Sequence, residues 1–258
     1  MHFAFLGTSG AIPSRTRDTT SLVFVGREEV LLVDCGGSPT QKLLAAGVDP
    51  LDLTHVLITH LHPDHAYGLP ALVQNLILLG RAAPLPVFCR PEHVEAITEL
   101  LRIFRLWERP GMFPLSVREV LAREGVEVFR SPSFRVSASP NAHGTMPNLA
   151  VRVEVPERET AVVYSSDTEP CEAVVRLAAG THTLIHEATF SHRDRGRFGA
   201  HSTAAEAGQI AAKAGVGRLI LTHIEAAYHD ELEALAAEAR AHFAGPVEIA
   251  EELRPYPL

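Results

Sequence analysis

Lysine is nearly absent from this 258-residue chain, occurring only at Lys42 and Lys213, so almost all of its positive charge is arginine. There is no excess of positive charge either, since the net charge is −8. An acidic balance argues against a large non-specific nucleic-acid surface, although a local patch would suffice for a specific one. Cysteine is scarce: Cys35, Cys89 and Cys171 are odd in number, scattered, and without zinc-finger spacing. That excludes a disulfide framework and points to reduced side chains in a cytoplasmic protein. No apolar run approaches the roughly 20 residues that a membrane span needs. The opening Met1–Gly7 reads directly as a strand and a glycine turn, with no leader expected. Asparagine and glutamine are few and proline is plentiful, as heat adaptation or biased codon usage would each produce.

Hydrophobic residues make up 46% of the chain, enough for one large core, and 1–258 reads as a single α/β domain. Strand-like and helix-like runs alternate without a long linker or repeat. Phe3–Gly7, Leu22–Val25, Val30–Asp34, Val56–Thr59, Val126–Phe129, Leu149–Val155, Ala161–Ser165, Leu184–His186 and Arg218–Thr222 are predicted strands. A helix opens at Ser38-Pro39, with Ser38 as cap, and ends at Gly47. Further helices are predicted over Leu69–Leu79, Glu92–Trp107, Thr203–Ala214 and Asp230–Phe243, with Thr203 and Glu206 forming a capping box.

Histidine, in contrast, is concentrated. Thr59-His60-Leu61-His62-Pro63-Asp64-His65 follows the apolar run Val56-Leu57-Ile58. Pro63 takes the chain out of the strand, so the cluster is expected on a loop at a strand end. His and Asp are suitable ligands for zinc and similar ions. Four such groups on so short a segment cannot all hold one ion tightly. Two ions are favoured, His60 and His62 serving one and Asp64 and His65 the other. His143, Asp167 and His223, each at or near a strand end, complete a seven-ligand set.

With these residues the chain resembles the metallo-β-lactamase superfamily, and more closely its ribonuclease Z-like branch. The resemblance runs through Leu6-Gly7-Thr8-Ser9-Gly10, Val33-Asp34-Cys35-Gly36-Gly37, His60 to His65, His143 and Asp167-Thr168. It continues through His186-Glu187-Ala188-Thr189-Phe190, His201-Ser202-Thr203 and Leu221-Thr222-His223. It implies an αββα sandwich, two facing mixed β-sheets flanked by helices, with metals at one edge. It implies that His60, His62, His143 and Asp167 hold one divalent ion and that Asp64, His65, Asp167 and His223 hold the other. Zinc is expected, with manganese or iron as alternatives. A water between the ions would ionise near neutral pH, with Asp64 orienting it. His201, held by Glu187, would protonate the leaving oxygen. A small phosphodiester or an RNA 3′ end would be the substrate, and a homodimer the working form. Two other readings stay open: hydrolysis of a lactone, amide or other ester on the same metals, and a non-catalytic metal-bound binding module.

The chain also departs from that branch. tRNA-processing members carry a long arm between the ligands equivalent to His143 and Asp167, whereas here only 24 positions separate them. Pro63 and Ser166 stand where glycine is common, and Ile224-Glu225-Ala226-Ala227-Tyr228 replaces a Ser-Pro-Arg-Tyr pattern. Arg102, Arg105 and Arg109, with Trp107 and Phe113 in the long segment 91–123, read as a solvated helix face or, less favoured, as a nucleotide grip. Arg195 and Arg197 precede His201 and are candidates to meet a substrate phosphate.

Overall fold

The computed structural model describes residues 1–197 and 199–258. The first half runs β1 (His2–Gly7), β2 (Ser21–Val25), β3 (Val30–Val33), α1 (Pro39–Ala45), β4 (Leu53–Leu57), α2 (Pro63–Ala66), α3 (Leu69–Leu78), β5 (Leu85–Cys89), α4 (Val94–Ile103) and β6 (Leu115–Glu119). The second half runs β7 (Val126–Arg130), β8 (Arg135–Pro140), β9 (Leu149–Val155), β10 (Thr160–Tyr164), α5 (Glu172–Ala178), β11 (Thr183–Glu187), α6 (Ala204–Ala214), β12 (Arg218–Thr222), α7 (Leu232–Arg240), β13 (Val247–Ile249) and β14 (Pro255–Pro257). No described helix is long and apolar enough to cross a membrane.

The strands form two seven-stranded mixed sheets, ordered β14-β1-β2-β3-β4-β5-β6 and β13-β12-β11-β10-β9-β8-β7. Each sheet is antiparallel at one end and parallel at the other: β3, β4, β5 and β6 run parallel, as do β10, β11, β12 and β13. Side-chain alternation assigns the layers. Phe3, Phe5, Leu22, Phe24, Leu31 and Val33 meet Val151, Val162, Tyr164, Ile185 and Ile220 in a core between the sheets. Their neighbours Ala4, Leu6, Val23 and Leu32 turn the other way and pack under α1, α3 and α4. Val163, Leu184, Leu219 and Leu221 pack under α5, α6 and α7. The αββα sandwich is therefore present.

Several boundaries differ from the sequence expectation. The segment Glu92–Trp107 is not one helix: α4 stops at Ile103, and Arg105 takes φ 54°, breaking the chain into a 3-10 turn over Leu106–Glu108. Ser38 occupies the capping position of α1 but makes no side-chain cap bond. The Thr203–Glu206 capping box of α6 does form. The last long helix is shorter than expected, covering Leu232–Arg240. The interval from His143 to Asp167 is filled by β9, a turn at Pro156–Arg158 and β10, with no room for an arm.

Candidate metal centre and hydrolytic site

Ligands in parallel α/β sheets gather beyond the carboxyl ends of strands. Here Asp34 follows β3, His60 and His62 follow β4, His143 follows β8, Asp167 follows β10, Glu187 ends β11 and His223 follows β12. Asp64 and His65 are an exception to the expected loop. They sit in α2, a single helical turn that Pro63 opens at its first position, where a missing N–H costs nothing. Both side chains still face the site, because the turn folds back onto β3: Cys35 N donates to His65 O at 2.7 Å.

All seven expected ligands converge. His62 Nδ1 lies 3.1 Å from His60 Nε2 and 3.0 Å from His143 Nε2. Asp167 Oδ2 lies 3.6 Å from His60 Nε2 and 3.9 Å from His143 Nε2. The same oxygen lies 3.3 Å from His65 Nε2 and 3.2 Å from His223 Nε2. Asp64 Oδ2 is 3.3 Å from His65 Nε2 and 3.5 Å from His223 Nε2. Two groups result, His60-His62-His143-Asp167 and Asp64-His65-Asp167-His223, each with donor atoms within 4.8 Å of one another. Asp167 belongs to both.

The donors fit divalent ions. Buried polar atoms normally find partners, yet His65 Nε2, His223 Nε2 and Asp167 Oδ1 have none among the described residues. The other ring nitrogens are bound from outside, which fixes the tautomer that aims a lone pair inward. His65 Nδ1 donates to Asp34 Oδ2 at 2.8 Å, His143 Nδ1 to Ala200 O at 2.7 Å, and His223 Nδ1 to Thr189 Oγ1 at 3.0 Å. Burial holds the pKa of His60 well below the ordinary histidine value, and burial likewise lowers those of His62 and His143. A lowered pKa favours the neutral ring that ligation requires. Burial opposes ionisation of Asp64, but the His223 and His65 rings beside it outweigh burial and hold the carboxyl well below its usual range.

Beside this cluster, Glu187 is fully buried and accepts four hydrogen bonds. Oε1 takes Thr168 N at 2.7 Å and His201 Nδ1 at 2.9 Å, while Oε2 takes Thr189 Oγ1 at 2.7 Å and Thr189 N at 3.2 Å. Burial would lower the pKa of His201, but the charge and hydrogen bond of Glu187 push it up to about 9. His201 is 20% exposed, so its ring reaches the solvent side of the site.

Sequence reasoning gave no role to Asp34, Thr59 or Thr189. Asp34 accepts from Thr59 N, Thr59 Oγ1 and His65 Nδ1, and so supports the first cluster from below. Its signal was an aspartate after four apolar residues and before Gly36-Gly37. The arginine readings resolve differently. Arg102 pairs with Glu99, and Arg105 with Glu108 at 2.7 Å, both exposed, as a solvated face would be. Phe113 is buried and Trp107 packs on the same outer core. Arg195 does not reach the site, because its Nε pairs with Glu206 Oε1 at 2.7 Å. Arg197 does line a cleft beside His201.

Residues 30–224 match the family described as a beta-lactamase superfamily domain, the class that the sandwich and its edge site define. Along most of its length the chain is also similar to the ribonuclease Z of Methanothermobacter thermautotrophicus, 33% identical with 88% of each chain covered. The chain belongs to the ribonuclease Z-like branch of the β-lactamase superfamily and is a metal-dependent hydrolase. Two solved structures share the fold at 24% identity and TM-score 0.82. They are YhfI from Bacillus subtilis, covering 99% of this chain and 98% of that one, and the short form of human tRNase Z, covering 100% of both.

Proposed function

We propose that this chain is a dinuclear phosphodiesterase, with His60, His62, His143 and Asp167 holding one divalent ion and Asp64, His65, Asp167 and His223 the other. The mixed nitrogen and oxygen donors suit zinc, with manganese or iron as alternatives. When bound, such ions acidify coordinated water and neutralise charge on a phosphoryl group. The rest falls to the chain's own side chains. Asp167 supplies negative charge shared between the two groups. Asp64, ionised and at the edge of the cluster, accepts a hydrogen bond from the attacking water. His201 donates its Nε2 proton to the leaving oxygen, while Glu187 holds Nδ1–H and stabilises the cationic ring.

The observation that carries the reading is the Glu187–His201 pair at 2.9 Å beside the two ligand groups. A phosphodiester with an alkoxide leaving group needs an acid at that place, whereas the acyl-transfer alternatives give the pair no role. The short interval between His143 and Asp167 supports compact substrates over a whole tRNA. Similarity to the ribonuclease Z of Methanothermobacter thermautotrophicus makes an RNA the second candidate substrate.

The test is turnover of bis(p-nitrophenyl) phosphate and of a 3′-extended precursor tRNA by zinc- or manganese-loaded protein, with Asp64→Ala as blank. Both the diester and its dependence on Asp64 are expected. His201→Ala should cost about 10²–10⁴-fold on a ribose leaving group and far less on nitrophenolate, the range for a general acid. Equal losses on the two substrates would remove His201 as the acid, and no diester turnover under any metal loading would overturn the proposal.

A further inference from the structure

A cleft of about 390 Å³ opens beside His201, lined by Ala11, Ile12, Phe190, Tyr228, Arg197 and Glu225. Its volume lies at the low end for small-molecule sites. Its place is defined by the proposed chemistry: a group on the His201 side of the phosphorus is the leaving group. The wall is largely apolar and aromatic, and Tyr228 is held in place because its hydroxyl donates to Asp194 Oδ2 at 2.6 Å.

Glu225 is the unexpected member. It is half-buried, and its carboxylate has no hydrogen-bond or ion-pair partner among the described residues, although its surroundings fix it. Its backbone N donates to Thr189 O at 3.0 Å, and Gly10 N donates to the adjacent Ile224 O at 2.9 Å. A Cβ on Gly10 would come 2.8 Å from Glu225 Oε2, so the glycine leaves room for the carboxylate. Thr189 in turn bonds both Glu187 and His223. The backbone that carries Glu225 is therefore tied to the acid pair, and the residue lines the leaving-group cleft. Arg197 also lines the cleft, with its Nη1 3.5 Å from Asp194 Oδ1.

We infer that Glu225 determines leaving-group specificity, admitting an uncharged nucleoside-sized alcohol and rejecting one that carries a further phosphate. Such an alcohol can donate a ribose hydroxyl or base N–H to the carboxylate while its base packs on Ile12, Phe190 and Tyr228. A second phosphate in the cleft would face a fixed like charge in a partly desolvated site. In the reaction water oxygen bonds to phosphorus, the P–O3′ bond breaks, and the His201 proton passes to the departing O3′. Products are a nucleoside and a phosphomonoester.

This inference rests on the phosphodiesterase reading, so the experiment separates the two. The substrates are the dinucleotides ApA and pApA, whose leaving adenosine lacks or carries a 5′-phosphate, assayed with metal-loaded wild type and Glu225→Gln. Wild type should prefer ApA in kcat/KM by on the order of tenfold, and Glu225→Gln should bring the ratio close to one. A parallel readout without catalysis is calorimetric binding of adenosine and 5′-AMP to metal-free protein, where the same preference should appear and then shrink in the variant. If wild type cleaves both dinucleotides and Glu225→Gln leaves the ratio and the binding preference unchanged, the inference fails and the phosphodiesterase stands. A wild-type preference for pApA likewise overturns it. If wild type cleaves no diester, the phosphodiesterase reading falls and takes the inference with it.

Discussion

Replacing Asp34 by asparagine should remove one ligand from one ion without touching that ion. Asp34 is fully buried, and both of its oxygens face hydrogens. Oδ1 accepts from Thr59 N at 2.8 Å, and Oδ2 accepts from His65 Nδ1 at 2.8 Å. An amide offers one acceptor and one donor, so one of these contacts must become donor against donor. The Thr59 N–H cannot be moved, whereas the His65 proton can. With the amide oxygen kept on Thr59, the NH₂ group faces Nδ1, and His65 answers by carrying its proton on Nε2. That nitrogen lies 3.3 Å from both Asp64 Oδ2 and Asp167 Oδ2, and once protonated it donates to them instead of ligating. Loss of such a supporting contact costs about 10–100-fold in metal affinity, or roughly 1.4–2.8 kcal/mol. If the amide turns over instead, Thr59 N is left unsatisfied and stability falls by about 1–3 kcal/mol. The assay is a competitive chelator titration of wild type and Asp34→Asn, with urea unfolding alongside. One weakened ion out of two is expected, the His60-His62-His143 ion being affected less. Two ions bound at wild-type affinity with unchanged unfolding would refute the tautomer argument.

Chelation of the wild type should lower its thermal midpoint. Ions present at about a thousand times Kd contribute roughly 4 kcal/mol per site, worth on the order of 10 °C in a chain of this size; an unmoved midpoint would mean the clustered donors hold no ion. Acid should destabilise the fold through His55, remote from the ligands. Burial lowers its pKa to about 4, with Glu29 acting the other way, and its ring stacks on Phe129 at 3.9 Å. A depressed histidine stabilises the fold above its ordinary value of 6.5, and that contribution is lost as pH falls from 6.5 towards 4. His55→Phe keeps the stack without the charge and should lose less stability between pH 7 and 4.5 in urea melts; equal losses would exclude His55 as a source.

What could be read from the sequence follows from how local each signal is. The ligands of His60 to His65 lie within one short segment and announce themselves. The outer ligands are isolated and needed the family motifs to be collected. Strands with clean apolar runs, such as Val30–Val33 and Leu184–His186, were legible. β5 was hidden by Pro86, β8 by the polar alternation Arg135-Val136-Ser137-Ala138-Ser139, and β14 by prolines at both ends, because each is a strand only through its partner. The break at Arg105 could not be foreseen from helical periodicity, which continues through it. Asp34 and Thr189 lie within the family motifs but gain roles only when folding sets them against His65 and His223. Hydrogen bonds across 31 or 34 positions leave no trace in spacing.

The backbone around the site is strained where the ligands leave their strands. Asp34, Ser166, Ala200 and His223 have φ of 62°, 51°, 69° and 56°, the left-handed region that non-glycine residues avoid. Each puts a candidate ligand or its support in place: Asp34 bonds His65, Ala200 O accepts from His143, His223 is itself a candidate ligand, and Ser166 precedes Asp167. Ser166 shows how such strain is offset. A glycine would adopt φ 51° freely, whereas serine pays about 1–2 kcal/mol for the conformation. Its hydroxyl donates to Thr59 Oγ1 at 2.9 Å, and Asn148 Oδ1 lies 3.2 Å from it. Thr59 is bonded to Asp34, and Asn148 Nδ2 donates to Asp167 O at 2.7 Å. A polar chain therefore runs from the end of β4 in one sheet to the end of β10 in the other, directly beneath the ligand cluster. Apolar packing between the sheets is non-directional and sets their spacing loosely. Directed hydrogen bonds set it at this edge, where His60 and Asp167, borne by different sheets, are brought into one candidate ligand group.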